Sequence, residues 1–209
     1  MRTFLLHISL LLSTNAAVLA DDAAEKEGIL LTSVRQLTFA GKRAGEGYFS
    51  ADGKKMIFQS ERTEDNPFFQ IYLLDLETGD TRRISPGHGK TTCAWIHPSG
   101  RKVMFASTHS DPDSRKKQEE ALKRRAEGKE KRYSWDYDPF YEIYEYDLQT
   151  KKSRNLTKAT GYDAEGAYSP DGSQIVFGSN RLGYSEANGL SEEDREWFGL
   201  NPSFLMDLF

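Results

Sequence analysis

The sequence predicts an all-β protein built from repeated four-stranded antiparallel units. Residues 46–62 and 165–181 share eight identical positions of 17. Residues 70–85 and 142–157 also match, and they lie 72 residues apart, the same distance that separates Phe105 from Phe177. The repeated stretches are short runs rich in valine, isoleucine, phenylalanine and tyrosine that turn residues interrupt, a pattern typical of strands joined by hairpins.

A middle copy of the first stretch, residues 93–109, lies between the other two. Its Phe105 aligns with the equivalent phenylalanines of the flanking copies. The turn that opens the third copy is Pro170-Asp171-Gly172, in which proline presets φ and glycine adopts positive φ without strain. Each unit of roughly 47 residues therefore holds four strands, which predicts the blade of a β-propeller.

The repeat resembles the WD-like propeller repeat of TolB-type proteins. The residues that carry the resemblance follow the pattern S-P-D-G-x-x-I-x-F-x-S-x-R, then I-Y-x-x-D-L-x-T-G, then L-T. The resemblance covers about residues 32–209 and implies a propeller that binds proteins or peptides. TolB itself has an α/β domain before its propeller. Here the repeats begin about a dozen residues after Ala20, where we expect a signal peptide to be cleaved.

The repeats predict a partial propeller of about two and a half blades with two helical insertions. The blades span residues 46–85, 93–157 and 165–209 of an incomplete TolB-like propeller, residues 32–209. Asp207-Leu208-Phe209 aligns with the start of the third strand in the other two blades. We therefore expect this chain to be the N-terminal part of a longer protein, because propellers close with four to eight blades.

A further strand is expected around Val34–Thr38. The letters RQLT at residues 35–38 match RRIS at residues 82–85 and RNLT at residues 154–157, which end the first two blades. This strand belongs to neither of those blades.

The first 20 residues predict a signal peptide. Arg2 precedes a mostly apolar run, residues 4–12, and Val18-Leu19-Ala20 offers small residues before the cleavage point. A linker would follow at residues 21–31, and no later segment is apolar enough to cross a membrane. The sequence predicts a periplasmic or secreted protein. Cys93, its single cysteine, is expected to be a small buried residue and excludes an intramolecular disulfide.

The two insertions, residues 110–139 and 182–206, carry opposite charge. Residues 111–133 hold nine Lys or Arg and six Asp or Glu, whereas residues 182–207 hold six acids and one Arg. Each insertion contains a helix pattern, with Asp113 or Ser114 and Ser191 as the capping residues. We expect the two helices to dock on each other, and Trp197 to be buried against Ala121 and Leu122.

With the four strands of a blade lettered A to D in chain order, the B–C loops and the D–A loops between blades lie on one face of the propeller. This face is the candidate binding face, because the turns on the opposite face are short and binding residues favour elaborated loops. The D–A loops and the blade-two insertion contribute polar and aromatic candidates: His88, Lys90, Trp135, Asp136, Tyr137, Asp163 and Glu165. Two alternatives stay open. The loop polarity is also what solvent exposure alone would favour, and the aromatic residues could instead cover the inserted helix.

The composition and the absence of known motifs argue against several classes of function. A net charge of −4 without a basic stripe argues against nucleic acid. The sequence has no metal-ligand spacing, no G-x-S-x-G motif and no cofactor motif, and no residue can be assigned catalysis. We predict an exported module that binds a protein or peptide. The alternative is a substrate-gating propeller of a secreted peptidase, similar to zinc aminopeptidases or prolyl oligopeptidases, with its catalytic domain beyond residue 209.

Overall fold

The computed structural model describes residue 28 and residues 30–129, 137–186 and 189–209. The chain divides into two units, Met1–Phe39 and Ala40–Phe209. In the first unit, residues 31–39 form neither helix nor strand, so the strand expected around Val34–Thr38 is not formed. The predicted signal peptide lies outside the described residues. In the part of the chain that the structure describes, no helix combines the length and apolarity that crossing a bilayer requires.

The second unit contains two complete four-stranded antiparallel sheets whose strands follow one another in chain order. The first blade consists of β1 (Arg43–Phe49), β2 (Lys55–Glu61), β3 (Gln70–Asp75) and β4 (Thr81–Arg83). The second consists of β5 (Thr91–Ile96), β6 (Lys102–Ser107), β7 (Glu142–Asp147) and β8 (Ser153–Asn155). Each of these two sheets is an antiparallel meander, as predicted for a propeller blade.

The third blade has three strands: β9 (Asp163–Tyr168), β10 (Ile175–Ser179) and β11 (Asp207–Leu208). Phe209 exchanges two backbone hydrogen bonds with Phe177, each of 3.0 Å. Phe58 and Phe105 pair with Tyr72 and Tyr144 in the same way in the other blades. The alignment of the third strand across the three copies is thus confirmed, and so is the partial β-propeller.

The tight hairpin turns have the same geometry in all three blades. In blade one the Ser50 amide donates to the Lys55 carbonyl at 2.8 Å, and the Gly53 amide donates to the Ser50 carbonyl at 2.9 Å. The turn glycine has positive φ in each blade, with 69°, 69° and 75° at Gly53, Gly100 and Gly172. Since side chains are disfavoured in this region, the D-G and S-G pairs fix the turns.

Neighbouring blades pack face to face through apolar residues. The first interface buries the blade-one residues Ile57, Ile71 and Leu73 against residues of blade two that include Ala94 and Ile96. At the second, Met104 and Ile143 of blade two pack with Phe177. Each fully buried aliphatic side chain stabilises the fold by about 1.5–3 kcal/mol. The core therefore lies between neighbouring blades.

The second unit contains three helices among its described residues: α1 (Ser114–Ala126), α2 (Arg181–Tyr184) and α3 (Glu192–Leu200). The predicted cap of α3 is confirmed, because the Ser191 hydroxyl accepts a hydrogen bond from the Asp194 amide at 3.1 Å. The expected burial of Trp197 against Ala121 and Leu122 is wrong. Trp197 is 54% exposed, and α3 buries none of its residues.

Helix α1 instead docks on blade one. The Gln118 amide donates to the Asp65 carbonyl at 2.5 Å and its oxygen accepts from the Gly89 amide at 3.2 Å. Arg125 reaches Glu61 at the end of β2 with both guanidinium nitrogens. The helix has no apolar stripe to bury, since its buried residues are Ser114 and Gln118. Polar contacts therefore decide where it lies.

Candidate functional site

The innermost strands of the three blades carry the same β-bulge. The pairing register of β1, β5 and β9 with its neighbour shifts at one equivalent place in each strand. The residue there has positive φ although it is not glycine: 49° at Glu46, 52° at Cys93 and 58° at Glu165. This conformation costs about 1–2 kcal/mol for a residue with a side chain. Bulges and backbone strain of this kind cluster next to functional sites.

The three bulges border one cavity of about 360 Å³, which we call the inner cavity. Its lining residues all belong to β1, β5 or β9: Glu46, Tyr48, Cys93, Ala94, Trp95, Glu165, Gly166 and Ala167. A β-carbon at Gly166 would lie 3.0 Å from Met104 and 3.3 Å from Ile143, so glycine lets β9 approach blade two closely. The cavity therefore depends on the packing of three successive blades.

The cavity combines carboxylates with an aromatic wall. The Tyr48 and Trp95 rings pack against each other with centroids 4.5 Å apart. Two of the lining residues have carboxylate side chains, Glu46 from blade one and Glu165 from blade three. Carboxylates accept strong hydrogen bonds from ammonium and guanidinium groups, and aromatic faces attract the same cations. The chemistry favours a basic group.

The other polar groups of the cavity stay protonated. Burial, and to a smaller extent the nearby Glu46 and Glu165, raise the pKa of the Cys93 thiol to about 12, although a hydrogen bond with Thr92 acts in the opposite direction. Burial also raises the pKa of Tyr48, and the same two carboxylates add to the shift. Because the thiolate is the form of cysteine that attacks or binds metals, Cys93 is inert at neutral pH.

Of the candidates predicted from sequence, Glu165 lies in the inner cavity. His88 lies in the loop after blade one, where its Nε2 is 3.2 Å from the His109 carbonyl oxygen and its ring meets the His109 ring edge-on at 6.0 Å. Burial, and to a smaller extent His88, lowers the pKa of His109 to about 4. The His109 ring is therefore neutral at physiological pH.

Lys90 belongs to a buried ion cluster below α1. Its ammonium lies 3.3 Å from Asp138, and Lys117 of α1 bridges Asp138 at 2.9 Å and Asp111 at 2.7 Å. Both carboxylates are at most 4% exposed. Burial disfavours the charged form of Lys117, but its two carboxylate partners outweigh burial and raise the pKa of Lys117. The cluster attaches the insertion to the D–A loop.

Asp163 and Tyr137 hold blade three together. Asp163 is fully buried, accepts from the Ser179 hydroxyl and pairs with Arg181 at 2.6 Å. The Tyr137 hydroxyl lies 2.5 Å from that of Tyr184 and accepts from the Asn180 amide at 2.9 Å. These contacts satisfy the side chains within the chain. Trp135 and Asp136 lie outside the described residues.

The structure thus brings one predicted residue, Glu165, to the cavity, whereas His88, Lys90, Tyr137 and Asp163 make contacts elsewhere in the chain. Sequence reasoning did not select Glu46, Tyr48, Cys93 or Trp95 as binding candidates. A signal was available, because the three aligned copies begin at residues 46, 93 and 165, which are the bulge positions. What the alignment lacks is the backbone conformation that turns these positions toward one cavity.

Within residues 30–129, 137–186 and 189–209, no group of three or more histidine, cysteine, aspartate or glutamate side chains is arranged to hold a metal ion. The inner cavity has two carboxylates, from separate blades, and a protonated thiol. Its donor set therefore does not match a metal centre.

The solved structures similar to this chain include TolB proteins and the propeller of a peptidase. A putative TolB from Agrobacterium tumefaciens is 20% identical with a TM-score of 0.48, and the match covers 69% of this chain and 41% of that one. TolB from Acinetobacter baumannii is 25% identical with a TM-score of 0.47, covering 71% and 31%. The β-propeller domain of the Trilobed protease from Pyrococcus furiosus is 15% identical with a TM-score of 0.44, covering 68% and 35%.

This chain spans less than half the length of each of these proteins. No family model matches the sequence. The fold assignment rests on the sheet order, the register and the blade packing described above.

Proposed function

We propose that this chain is an exported propeller module that binds a protein or peptide and takes a basic group of that ligand into the inner cavity. The export step rests on the N-terminal signal pattern, residues 1–20. The D–A loops and the docked helix α1 form the face through which the rest of the ligand would reach the cavity. Binding, and no covalent chemistry, is the role assigned to the chain.

One observation carries the proposal: Glu46 and Glu165 occupy equivalent strained positions on two blades and border the same cavity. A bulge re-aims the side chain of its extra residue, and here it does so twice towards one space. An arginine or lysine side chain entering that space would meet carboxylates on two sides and the ring pair Tyr48–Trp95 on the wall. A charge-assisted hydrogen bond is worth about 1.5–3 kcal/mol.

The peptidase role predicted as the alternative would use the same cavity. The sequences at residues 35–55 and 86–100 resemble propellers joined to zinc aminopeptidase domains, which favours that role. The cavity would then select or orient the basic part of a peptide substrate, and the hydrolysis would occur in a domain beyond residue 209.

The test measures, by calorimetry, the binding of the peptide acetyl-Gly-Ser-Arg-Ser-Gly-amide to the full chain. We expect saturable binding that weakens at high salt, since exposed charges are screened over about 8–10 Å. Glu46→Gln and Glu165→Gln should each weaken binding about tenfold. Glu193→Gln on the exposed helix α3 is the matched control and should leave binding unchanged.

A second peptide in which citrulline replaces arginine tests the charge itself. Citrulline keeps the shape and most donors of arginine but carries no charge. We expect it to bind at least tenfold more weakly than the arginine peptide. Equal binding of the two peptides, or unchanged binding by the Glu46→Gln, Glu165→Gln double variant, would refute the cationic ligand.

A further inference from the structure

Tyr48 and Trp95 form the aromatic wall of the inner cavity, and the packing around them holds both rings in place. Tyr48 packs against the apolar core between blades one and two. Trp95 packs against the core that Met104 and Phe177 help to form between blades two and three. The two ring planes are tilted by 44°. The wall is therefore a preformed ring surface, which a ligand meets without first ordering flexible side chains.

The rest of the lining carries no positive charge. Apart from the two glutamates and the two rings, it consists of small neutral residues such as Cys93, Ala94 and Ala167, and none of the described lysines or arginines lines the cavity. A cation in the cavity would therefore come from a ligand. An ammonium ion is compact and strongly hydrated, whereas a guanidinium ion is planar, more weakly hydrated and able to stack on a ring. A lining of this kind favours the guanidinium ion.

Two arginines of this chain show how a guanidinium group lies between a carboxylate and an aromatic ring. Arg43 pairs with Glu61 at 3.0 Å, and its Cζ lies 4.3 Å from the centroid of the Phe69 ring. Arg181 also pairs with a buried carboxylate, and its Cζ lies 4.8 Å from the centroid of the Phe177 ring. In both places the guanidinium group uses the ring face and the carboxylate together, and the inner cavity offers the same two components.

The lysines that lie near a ring and a carboxylate make a different contact. The Nζ atoms of Lys90 and Lys117 lie 3.3 and 2.9 Å from Asp138. Their distances to the nearest ring centroids are longer than those of the arginines, 5.7 Å to Phe68 and 5.1 Å to Phe140. These ammonium groups therefore contact mainly the carboxylate, and an aromatic wall adds less to their binding than to that of a guanidinium group.

We propose that the inner cavity binds a guanidinium group and so selects arginine over lysine side chains, with Trp95 as the residue that sets this preference. The inference rests on the proposed function, since it requires that a basic group of the ligand enters the cavity. The plane of the guanidinium group would stack on the Tyr48–Trp95 wall, and its N–H groups would donate to Glu46 and Glu165. A lysine would keep the carboxylate contacts and lose the stacking. Tryptophan is the aromatic residue that attracts cations most strongly.

The direct test compares three peptides of the form acetyl-Gly-Ser-X-Ser-Gly-amide, in which X is arginine, homoarginine or lysine. Their binding to the full chain is measured by calorimetry. We expect arginine to bind roughly 3- to 10-fold more tightly than lysine. Homoarginine has the longer stem of lysine and the head group of arginine, and it should also bind at least about threefold more tightly than lysine. Because the protein is the same in all three measurements, its folding does not enter the comparison.

The outcomes separate this inference from the proposed function. If lysine binds as tightly as arginine, or homoarginine no more tightly than lysine, the guanidinium preference is wrong. Binding that is still lost in the Glu46→Gln, Glu165→Gln double variant would then leave the site for a basic group standing. If none of the three peptides binds, both the inference and the proposed function are wrong.

Variants of the wall test the role of Trp95. Trp95→Leu removes the ring and should reduce the preference for arginine over lysine to less than about twofold, with little change for lysine. Trp95→Phe keeps a smaller ring in the same packing and should give an intermediate preference. Trp197→Leu on α3 is the matched control, because Trp197 is 54% exposed and does not line the cavity, and it should leave the preference unchanged. An undiminished preference in Trp95→Leu and Trp95→Phe would contradict the assigned role.

Discussion

The two insertions leave their blades at equivalent B–C connections, but their helices make different contacts. Helix α1 of blade two lies against blade one and reaches Glu61, Asp65 and Gly89 there. Helix α3 of blade three buries no residue, and its Phe198 packs against Tyr184 of its own insertion with ring centroids 5.0 Å apart. One insertion thus connects neighbouring blades, whereas the other is held by a local aromatic contact.

The difference shows that buried polar partners, and not apolar content, decide which insertion docks. Helix α3 has the larger aromatic side chains, with Trp197 54% and Leu200 76% exposed. Helix α1 is charged along its length but meets Glu61, Asp111 and Asp138, three carboxylates at most 4% exposed. A buried carboxylate is strongly destabilising without a cation, so each site requires a partner, and α1 supplies Arg125 and Lys117.

The largest expected effect comes from removing Glu61, the carboxylate that pairs with Arg125 of α1. Glu61 is 2% exposed and faces Lys42, Arg43 and Arg125 at 3.6, 3.0 and 2.5 Å. Glu61→Ala leaves these cations without their carboxylate and should lower the free energy of unfolding by about 2–4 kcal/mol in urea titrations. Glu193→Ala on α3 is the matched control and should change it by less than about 0.5 kcal/mol. Equal effects would mean that the insertions are anchored alike.

The second-largest expected effect is a dependence of folding stability on pH, caused by His109 just before the blade-two insertion. Burial lowers the pKa of His109 to about 4, below its ordinary value of 6.5, so the unfolded chain binds this proton at a higher pH than the folded one. The stability contribution is complete above pH 6.5 and falls as the pH falls from 6.5 to 4. We expect a loss of about 1–2 kcal/mol, allowing for solvent screening.

His109→Gln should remove that slope between pH 6.5 and 4.5 in thermal unfolding followed at several pH values. The blade-three insertion has arginine at the equivalent place, Arg181. The ordinary pKa of an arginine side chain lies far above this range, and the comparison therefore predicts that acidification loosens the blade-two side first. A His109→Gln variant with an unchanged pH slope would assign the titration to other groups.

The smallest expected effect sharpens the comparison at the helix caps. Ser191→Ala removes the hydroxyl that accepts from the Asp194 amide and should destabilise α3 by about 1 kcal/mol, seen as faster amide exchange in residues 192–200. Global unfolding should stay unchanged, because α3 buries no side chain. Asp113→Ala is the matched control on α1, since the Asp113 side chain makes no cap hydrogen bond. A large shift in global unfolding for Ser191→Ala would show that α3 is part of the core.

The sequence alone was sufficient for the blades, because their signals are local. Turn pairs such as Asp171-Gly172 and the alternation of apolar residues act over a few neighbours, so they predicted the strands and the partial propeller. The Ser191 cap was predictable for the same reason. The equivalence of Phe58, Phe105 and Phe177 followed from the repeat, and the register confirms it.

The tertiary structure decided where the polar side chains act. Lys90 and Asp163 are loop residues by sequence, and the structure shows that they form ion pairs with Asp138 and Arg181. Glu46 and Glu165 line one cavity because each lies at the bulge of an inner strand, on two different blades. The cavity brings together residues as far apart in the sequence as Glu46 and Glu165, and the energies of the ion pairs depend on burial and on partners that no local pattern encodes.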